Sequence, residues 1–415
     1  MAASKIIKKW NILPTEFSKN SINPLRLLWE TQQPKGNPKL KEIHLQPGDP
    51  TLYGNFPPHP IIAKAISDAA LNDKFSYVEC LGSRIARQAV ADYSQHMGKI
   101  TADDIILTTG CSMAVEVAIR SLANPDENVL VPRPSWNYST WIHGSGILAK
   151  YYNLNPEKEW EIDLEDLQNK IDKKTKAIIV NSPGNPCGNV FSKNHILDII
   201  EIAEKNCLPI ISDEIYEFFT IPSVKFYSFA TLSKTVPVLV CSGLTKRFLT
   251  PGIRLDWVIV NDRGDKLKEI RKGFQNIAGR NFYPNSTVQH ALPKILSEVP
   301  QSFFDKNNQM IHNNAKIVYD RLKNVPGLNP IMSKGAIYML IGIKLEKFPN
   351  INSSLEFMQR LANEQSVFTF PSEVFNFPGF LRFVLTSHDE ALVEACERLS
   401  KFCEKYYKDK TYETL

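Results

Sequence analysis

A chain of 415 residues with 43% hydrophobic content is long enough to bury a large core and to hold two or three domains. Forty-nine Lys and Arg against 44 Asp and Glu leave a net charge of +5 with no long single-sign block, which argues against a nucleic-acid surface. The seven cysteines (Cys80, Cys111, Cys187, Cys207, Cys241, Cys396 and Cys403) are scattered, without a Cys-x-x-Cys pair or zinc spacing. They point to a reducing compartment and to no metal centre.

In chain order, Met1 to Pro14 carries Lys5, Lys8 and Lys9 and no acid, but neither arginine nor an apolar signal core. It reads as a flexible leader, with a cytoplasmic location expected and mitochondrial import as the lesser alternative. Six compact runs rich in Val, Ile and Leu follow, at Ile105 to Thr109, Asn128 to Pro132, Lys176 to Asn181, Leu208 to Ser212, Val236 to Ser242 and Leu255 to Val260. Such runs predict strands buried on both faces. Amphipathic stretches lie between them, at Ser112 to Ala123, Leu164 to Ile171 and Lys193 to Asn206, the last behind Ser192 as a helix cap. This alternation predicts an α/β fold, a mainly parallel sheet sandwiched by helices.

After about Pro300 the pattern changes to a long helix (Phe303 to Leu322), strand-like pieces (Ala336 to Ile343, Leu381 to Leu385) and a final helix (Glu390 to Tyr406). The expectation is a smaller α+β domain, with boundaries at 1–55 for an N-terminal arm that joins it, 56–300 for the large domain and 301–415 for the small one. No apolar run reaches the ~18 to 20 residues of a membrane-spanning helix, so no membrane association is expected. The charged end, Lys405 to Leu415, is expected to fray.

The residues that carry chemistry gather at predicted strand ends, where open α/β sheets place ligands. Past Val236 to Cys241 comes Ser242-Gly243-Leu244-Thr245-Lys246-Arg247-Phe248-Leu249-Thr250-Pro251-Gly252-Ile253-Arg254. A lone lysine there would be an ordinary loop residue. Small neighbours and an arginine eight residues on, past a Pro-Gly turn, suit a different use: an amine that forms an imine with an aldehyde, and a fork that holds a phosphate. Pyridoxal phosphate needs both.

Lys-Arg-Phe-Leu-Thr-Pro-Gly-Ile-Arg resembles the cofactor-lysine signature of the fold type I pyridoxal-phosphate aminotransferases, in particular the tyrosine aminotransferase branch. The resemblance extends through Asn23-Pro24-Leu25-Arg26, Pro47-Gly48-Asp49-Pro50-Thr51 and Pro378-Gly379-Phe380-Leu381-Arg382. It implies a role for each of several further residues. Asp213, in Ser212-Asp213-Glu214-Ile215-Tyr216, would face the pyridine nitrogen of the cofactor. Tyr216 and Asn185, the latter in Asn181-Ser182-Pro183-Gly184-Asn185-Pro186-Cys187-Gly188, would reach its phenolic oxygen. Glu214 receives no role beyond support of the fold, and Cys187 none as a nucleophile.

For the phosphate, Thr109-Gly110-Cys111-Ser112 passes from strand to helix and turns free N–H groups toward an anion. The resemblance assigns that end to Gly110, Cys111, Ser112 and Arg254. Aspartate aminotransferase relatives have a serine three residues before the lysine; this chain has Gly243, so Ser242 is the candidate replacement. Trp136 would stack on the ring, Arg382 would grip the substrate carboxylate, Gly48 would close over the substrate, and Tyr77 would reach the phosphate of a neighbouring subunit. Two positions stay open: Arg280 is a second-carboxylate ligand or a surface charge, and Asp256 stands where the family commonly has glycine. The implied activity is transamination of an aromatic L-amino acid (tyrosine, phenylalanine) with 2-oxoglutarate or pyruvate as acceptor, in a homodimer with shared sites. A pyridoxal-phosphate carbon–sulfur lyase acting on cysteine conjugates is the alternative.

Overall fold

The computed structural model describes residues 12–281 and 284–408, so most of the expected leader and most of the fraying C-terminal tail lie outside the described residues. The strands are β1 (Ile43–His44), β2 (Ile105–Thr108), β3 (Asn128–Arg133), β4 (Leu148–Asn155), β5 (Glu161–Ile162), β6 (Thr175–Asn181) and β7 (Ile210–Asp213). They continue with β8 (Val238–Gly243), β9 (Asp256–Asn261), β10 (Leu328–Pro330), β11 (Tyr338–Ile343), β12 (Val367–Phe368), β13 (Phe370–Pro371) and β14 (Phe380–Val384). Eight of them form the central sheet in the order β2-β9-β8-β7-β6-β3-β4-β5.

The run β8-β7-β6-β3-β4 is parallel, and β9 lies antiparallel between β2 and β8. Side chains alternate across a strand, so the apolar runs split between two cores. Ile106, Val129, Val131, Ile179, Ile211, Leu239 and Val258 face one core, shared with Ala114, Ala118 and Ile119 of the helix Cys111–Leu122. Ile105, Leu107, Leu130, Ile178, Ile210, Val238 and Ile259 face the other, shared with Ile196, Ile199 and Ala203 of the helix Lys193–Lys205. Helices on both faces are why these strands read as unbroken apolar runs. Ser192 caps the second helix as expected, its side chain accepting from the His195 N–H.

The C-terminal part builds the antiparallel sheet β10-β11-β14-β13, packed with the helices Gln301–Leu322, Ser354–Gln365 and Asp389–Tyr406. Here β1 pairs parallel with β12, Ile43 opposite Val367 and His44 opposite Phe368, which ties the N-terminal segment to this part. Leu45 extends the tie, its amide donating to Phe368 and its carbonyl accepting from Val384. The segment around Gly48 is thereby held at the junction of the two sheets.

Candidate active site

A cavity of about 510 Å³ opens at the carboxyl ends of the parallel strands, where β14 and the loop after β1 close over it. Lys246, Asp213, Tyr216, Asn185 and Arg254 all line it. So do Trp136, Cys111, Ser112, Gly48 and Arg382. Ten of the thirteen residues expected at the site therefore meet in one place.

Asp213 ends β7, where the pleat turns its carboxylate away from the apolar cores and into the cavity floor. Its Oδ2 accepts from the Tyr138 hydroxyl at 2.7 Å, and its Oδ1 accepts from the Ile215 N–H at 3.2 Å and the Cys111 thiol at 3.8 Å. Burial pushes the carboxyl up to about 6, opposed by these three donors. No lysine or arginine pairs with it among the described residues.

Arg382 on β14 is the complementary case, a guanidinium that is 1% exposed. Its Nη1 donates to Asn185 Oδ1 at 3.0 Å and its Nη2 to the Gln46 carbonyl at 2.6 Å, while Nε has no partner among the described residues. The rings of Tyr338, Phe375 and Phe370 surround it at 4.4, 5.0 and 5.3 Å. A buried cation with no acid beside it among the described residues is costly, and a planar fork of this kind is suited to a carboxylate.

Asn185 gives its carbonyl oxygen to Arg382 and its backbone N–H to Asn181 Oδ1 at 2.8 Å, which leaves the amide nitrogen to donate into the cavity. The Tyr216 hydroxyl lies 2.7 Å from that of Tyr338 on β11. Lys246, just past β8, points its Nζ at the Gly48 carbonyl, 2.5 Å away. A Cβ at Gly48 would lie 2.5 Å from the Tyr338 hydroxyl, so a larger residue there would have to displace that ring.

At the far end, the Arg254 guanidinium donates to the Pro251 carbonyl at 3.0 Å and stands 3.5 Å from Thr245 Oγ1. Gly110 lies beneath it with φ 90°, and a Cβ there would fall 1.6 Å from Arg254 Nη2, so only glycine fits. Gly110 itself does not line the cavity. The helix start behind it already meets a carboxylate: the Cys111 N–H donates to Asp256 Oδ2 at 2.6 Å. The expectation that this amide faces the cavity is thus altered by a buried acid at the first position of β9.

Two other expected contacts also fall outside the cavity of a single chain. Ser242 is fully buried on the face of β8 opposite to that of Cys241 and Gly243, with no partner for its hydroxyl among the described residues. Tyr77 is 91% exposed on a loop. Arg280 is an exposed residue at the end of the helix Lys268–Asn281. Glu214 accepts from Ser212 Oγ, Ser228 Oγ and the Phe229 N–H, a role in support of the fold. Sequence reasoning missed Tyr138, Tyr338, Gln46 and Thr245. Tyr138 lies two residues past the singled-out Trp136, whereas Tyr338 sits on a predicted strand with no local signal.

A model of the aminotransferase class I and II family matches residues 41–399. The chain is 42% identical to the tyrosine aminotransferase of Mus musculus, over 96% of this chain and 89% of that one. It is 34% identical to an S-alkyl-thiohydroximate lyase of Arabidopsis thaliana, over 88% and 81%. The crystal structure of tyrosine aminotransferase from Leishmania infantum superposes with a TM-score of 0.93 at 29% identity, covering 97% of this chain and 100% of that one. Sequence, fold and the convergence of amine, carboxylate and arginines in one cavity agree: the chain belongs to the class I and II aminotransferases, enzymes that use pyridoxal 5'-phosphate.

Proposed function

We propose that this enzyme transfers the amino group of an aromatic L-amino acid, tyrosine or phenylalanine, to a 2-oxo acid such as 2-oxoglutarate or pyruvate, with Lys246 as its central residue. The observation that carries the reading is that one cavity is lined at once by Lys246, Asp213, Arg254 and Arg382, four groups from separate segments of the chain. The residues fit pyridoxal phosphate by their chemistry. Asp213 is a buried carboxylate with no cation beside it among the described residues, suited to a protonated ring nitrogen. Asn185 and Tyr216 offer donors for the phenolic oxygen, Trp136 a face for stacking, and Arg254 and Ser112 the phosphate end, where the Cys111 N–H is held by Asp256.

Bound there, the cofactor would supply an electron-withdrawing ring that drains charge from the Cα–H bond of the amino acid. The chain supplies the rest. Arg382 holds the substrate carboxylate in two parallel hydrogen bonds and so fixes the Cα–H direction. Lys246 Nζ, released from the Gly48 carbonyl, is the base that would hold the Cα proton. Asp213, oriented by the Tyr138 hydroxyl, would supply the carboxylate that partners the ring nitrogen. The loop at Gly48 excludes water. Trp29, Trp141 and Phe370 on the cavity wall favour an aromatic side chain, as does the likeness to tyrosine aminotransferases. Replacing Lys246 by Ala is expected to abolish both turnover and the visible band of the lysine-linked cofactor; activity retained in that variant would refute the assignment.

The lyase reading draws its support from the likeness to the Arabidopsis S-alkyl-thiohydroximate lyase, and dependence on an oxo-acid acceptor separates the two. We also assign the large domain to 56–300, and the small domain to 301–415 together with the arm 1–55. No described helix is long and apolar enough to cross a membrane. The scattered free cysteines favour a reducing compartment, and on them rests our placement of the enzyme in the cytoplasm. Exposure of Tyr77 beside Phe75 supports a homodimer in which Tyr77 completes the neighbour's phosphate end. A monomeric mass with full activity at high dilution would contradict this.

A further inference from the structure

One buried charge near the cavity has no part in the chemistry above. Asp256 is fully buried at the start of β9, behind the wall formed by Cys111, Thr245 and Arg254. Its Oδ2 accepts from the Cys111 N–H at 2.6 Å and from the Thr245 hydroxyl at 2.5 Å, and its Oδ1 accepts from the Thr245 N–H at 2.9 Å. The Cys111 amide is the first of the helix Cys111–Leu122, whose positive end is the natural seat of an anion in such a fold. Asp256 also excludes a further donor, since a Cβ at Gly243 would lie 1.8 Å from its Oδ1, so no hydroxyl can be offered from that position.

We propose that Asp256 is an internal competitor for the phosphate end of the cavity: its charge, and its hold on the Cys111 N–H and the Thr245 hydroxyl, keep the affinity for a phosphate-bearing cofactor below what the remaining donors would give. The proposal rests on the reading of that end as the phosphate site. The charge facing Asp256 from its own loop is Arg254; Asp213 on β7 adds a second negative charge nearby. The consequence is a cofactor that exchanges more readily, and an enzyme whose occupancy follows cofactor supply.

Cofactor-free protein, wild-type, Asp256→Asn and Asp256→Gly, would be titrated with pyridoxal phosphate, with pyridoxal and with inorganic phosphate, and melted in parallel. Asn keeps the shape and removes the charge; Gly also releases the amide. Both variants are expected to bind pyridoxal phosphate and inorganic phosphate about tenfold more tightly, with pyridoxal unchanged. Should Gly fail to fold, Asn decides. Unchanged or weaker phosphate binding in a folded variant overturns the proposal, as does an equal gain for pyridoxal, which would place the effect at Asp213. Wild-type protein that binds no pyridoxal phosphate would overturn the reading of the whole site.

Discussion

Asp213→Asn should stabilise the cofactor-free enzyme while destroying its activity. The carboxyl is buried, has no cationic neighbour among the described residues, and is held at about 6 instead of near 3.8. Ionising it inside the fold therefore costs about 3 kcal/mol relative to the unfolded chain. The sign follows from a raised acid: its contribution is fully present below the unfolded value near 3.8, declines as pH rises, and is gone above about 6. Asparagine carries no such charge and keeps an oxygen for the Tyr138 hydroxyl. Urea unfolding of both cofactor-free proteins should give similar stabilities near pH 4, with a gap in favour of the variant that opens through pH 6 and reaches roughly 1–3 kcal/mol at pH 7.5. With pyridoxal phosphate present the order should reverse, because only the carboxylate offers a partner to the ring nitrogen. A gap of the same size at pH 4 and pH 7.5, or a less stable variant at pH 7.5, would refute the view of Asp213 as a charge kept for the cofactor.

Arg382→Met should retain the cofactor band yet lose roughly 100-fold in kcat/KM for both amino-acid and oxo-acid substrates, because each carboxylate loses a bidentate partner; steady-state kinetics with both substrates check this, and an unchanged value for either would remove Arg382 from the carboxylate site. Glu214, pushed up to about 8 by burial, is a neutral acid at pH 7, so Glu214→Gln should be close to neutral in denaturant stability at low pH. Wild-type stability should fall relative to this variant between pH 4.5 and 8 and run parallel above 8. A pH-independent difference would show that the fold does not raise the Glu214 carboxyl.

The apolar runs of β2, β3 and β6 to β9 determined the sandwiched parallel sheet, because a strand buried on both faces needs Val, Ile and Leu at every position whichever way it pairs. The same sequence placed Lys246, Asp213 and Asn185 at strand ends, and the carboxyl ends of neighbouring parallel strands necessarily lie side by side. The pairings that complete the site were decided only in three dimensions. Arg382 donates to a carbonyl 336 residues away, and the Cys111 amide meets a carboxylate 145 residues away. Tyr338 reaches Tyr216 across 122 residues. Local periodicity says which face of a strand is apolar, but not which distant segment packs against its end. Asp256 shows the difference: in the sequence it is an acid where glycine is usual, and only the packing of β9 against the helix start reveals which donors it occupies.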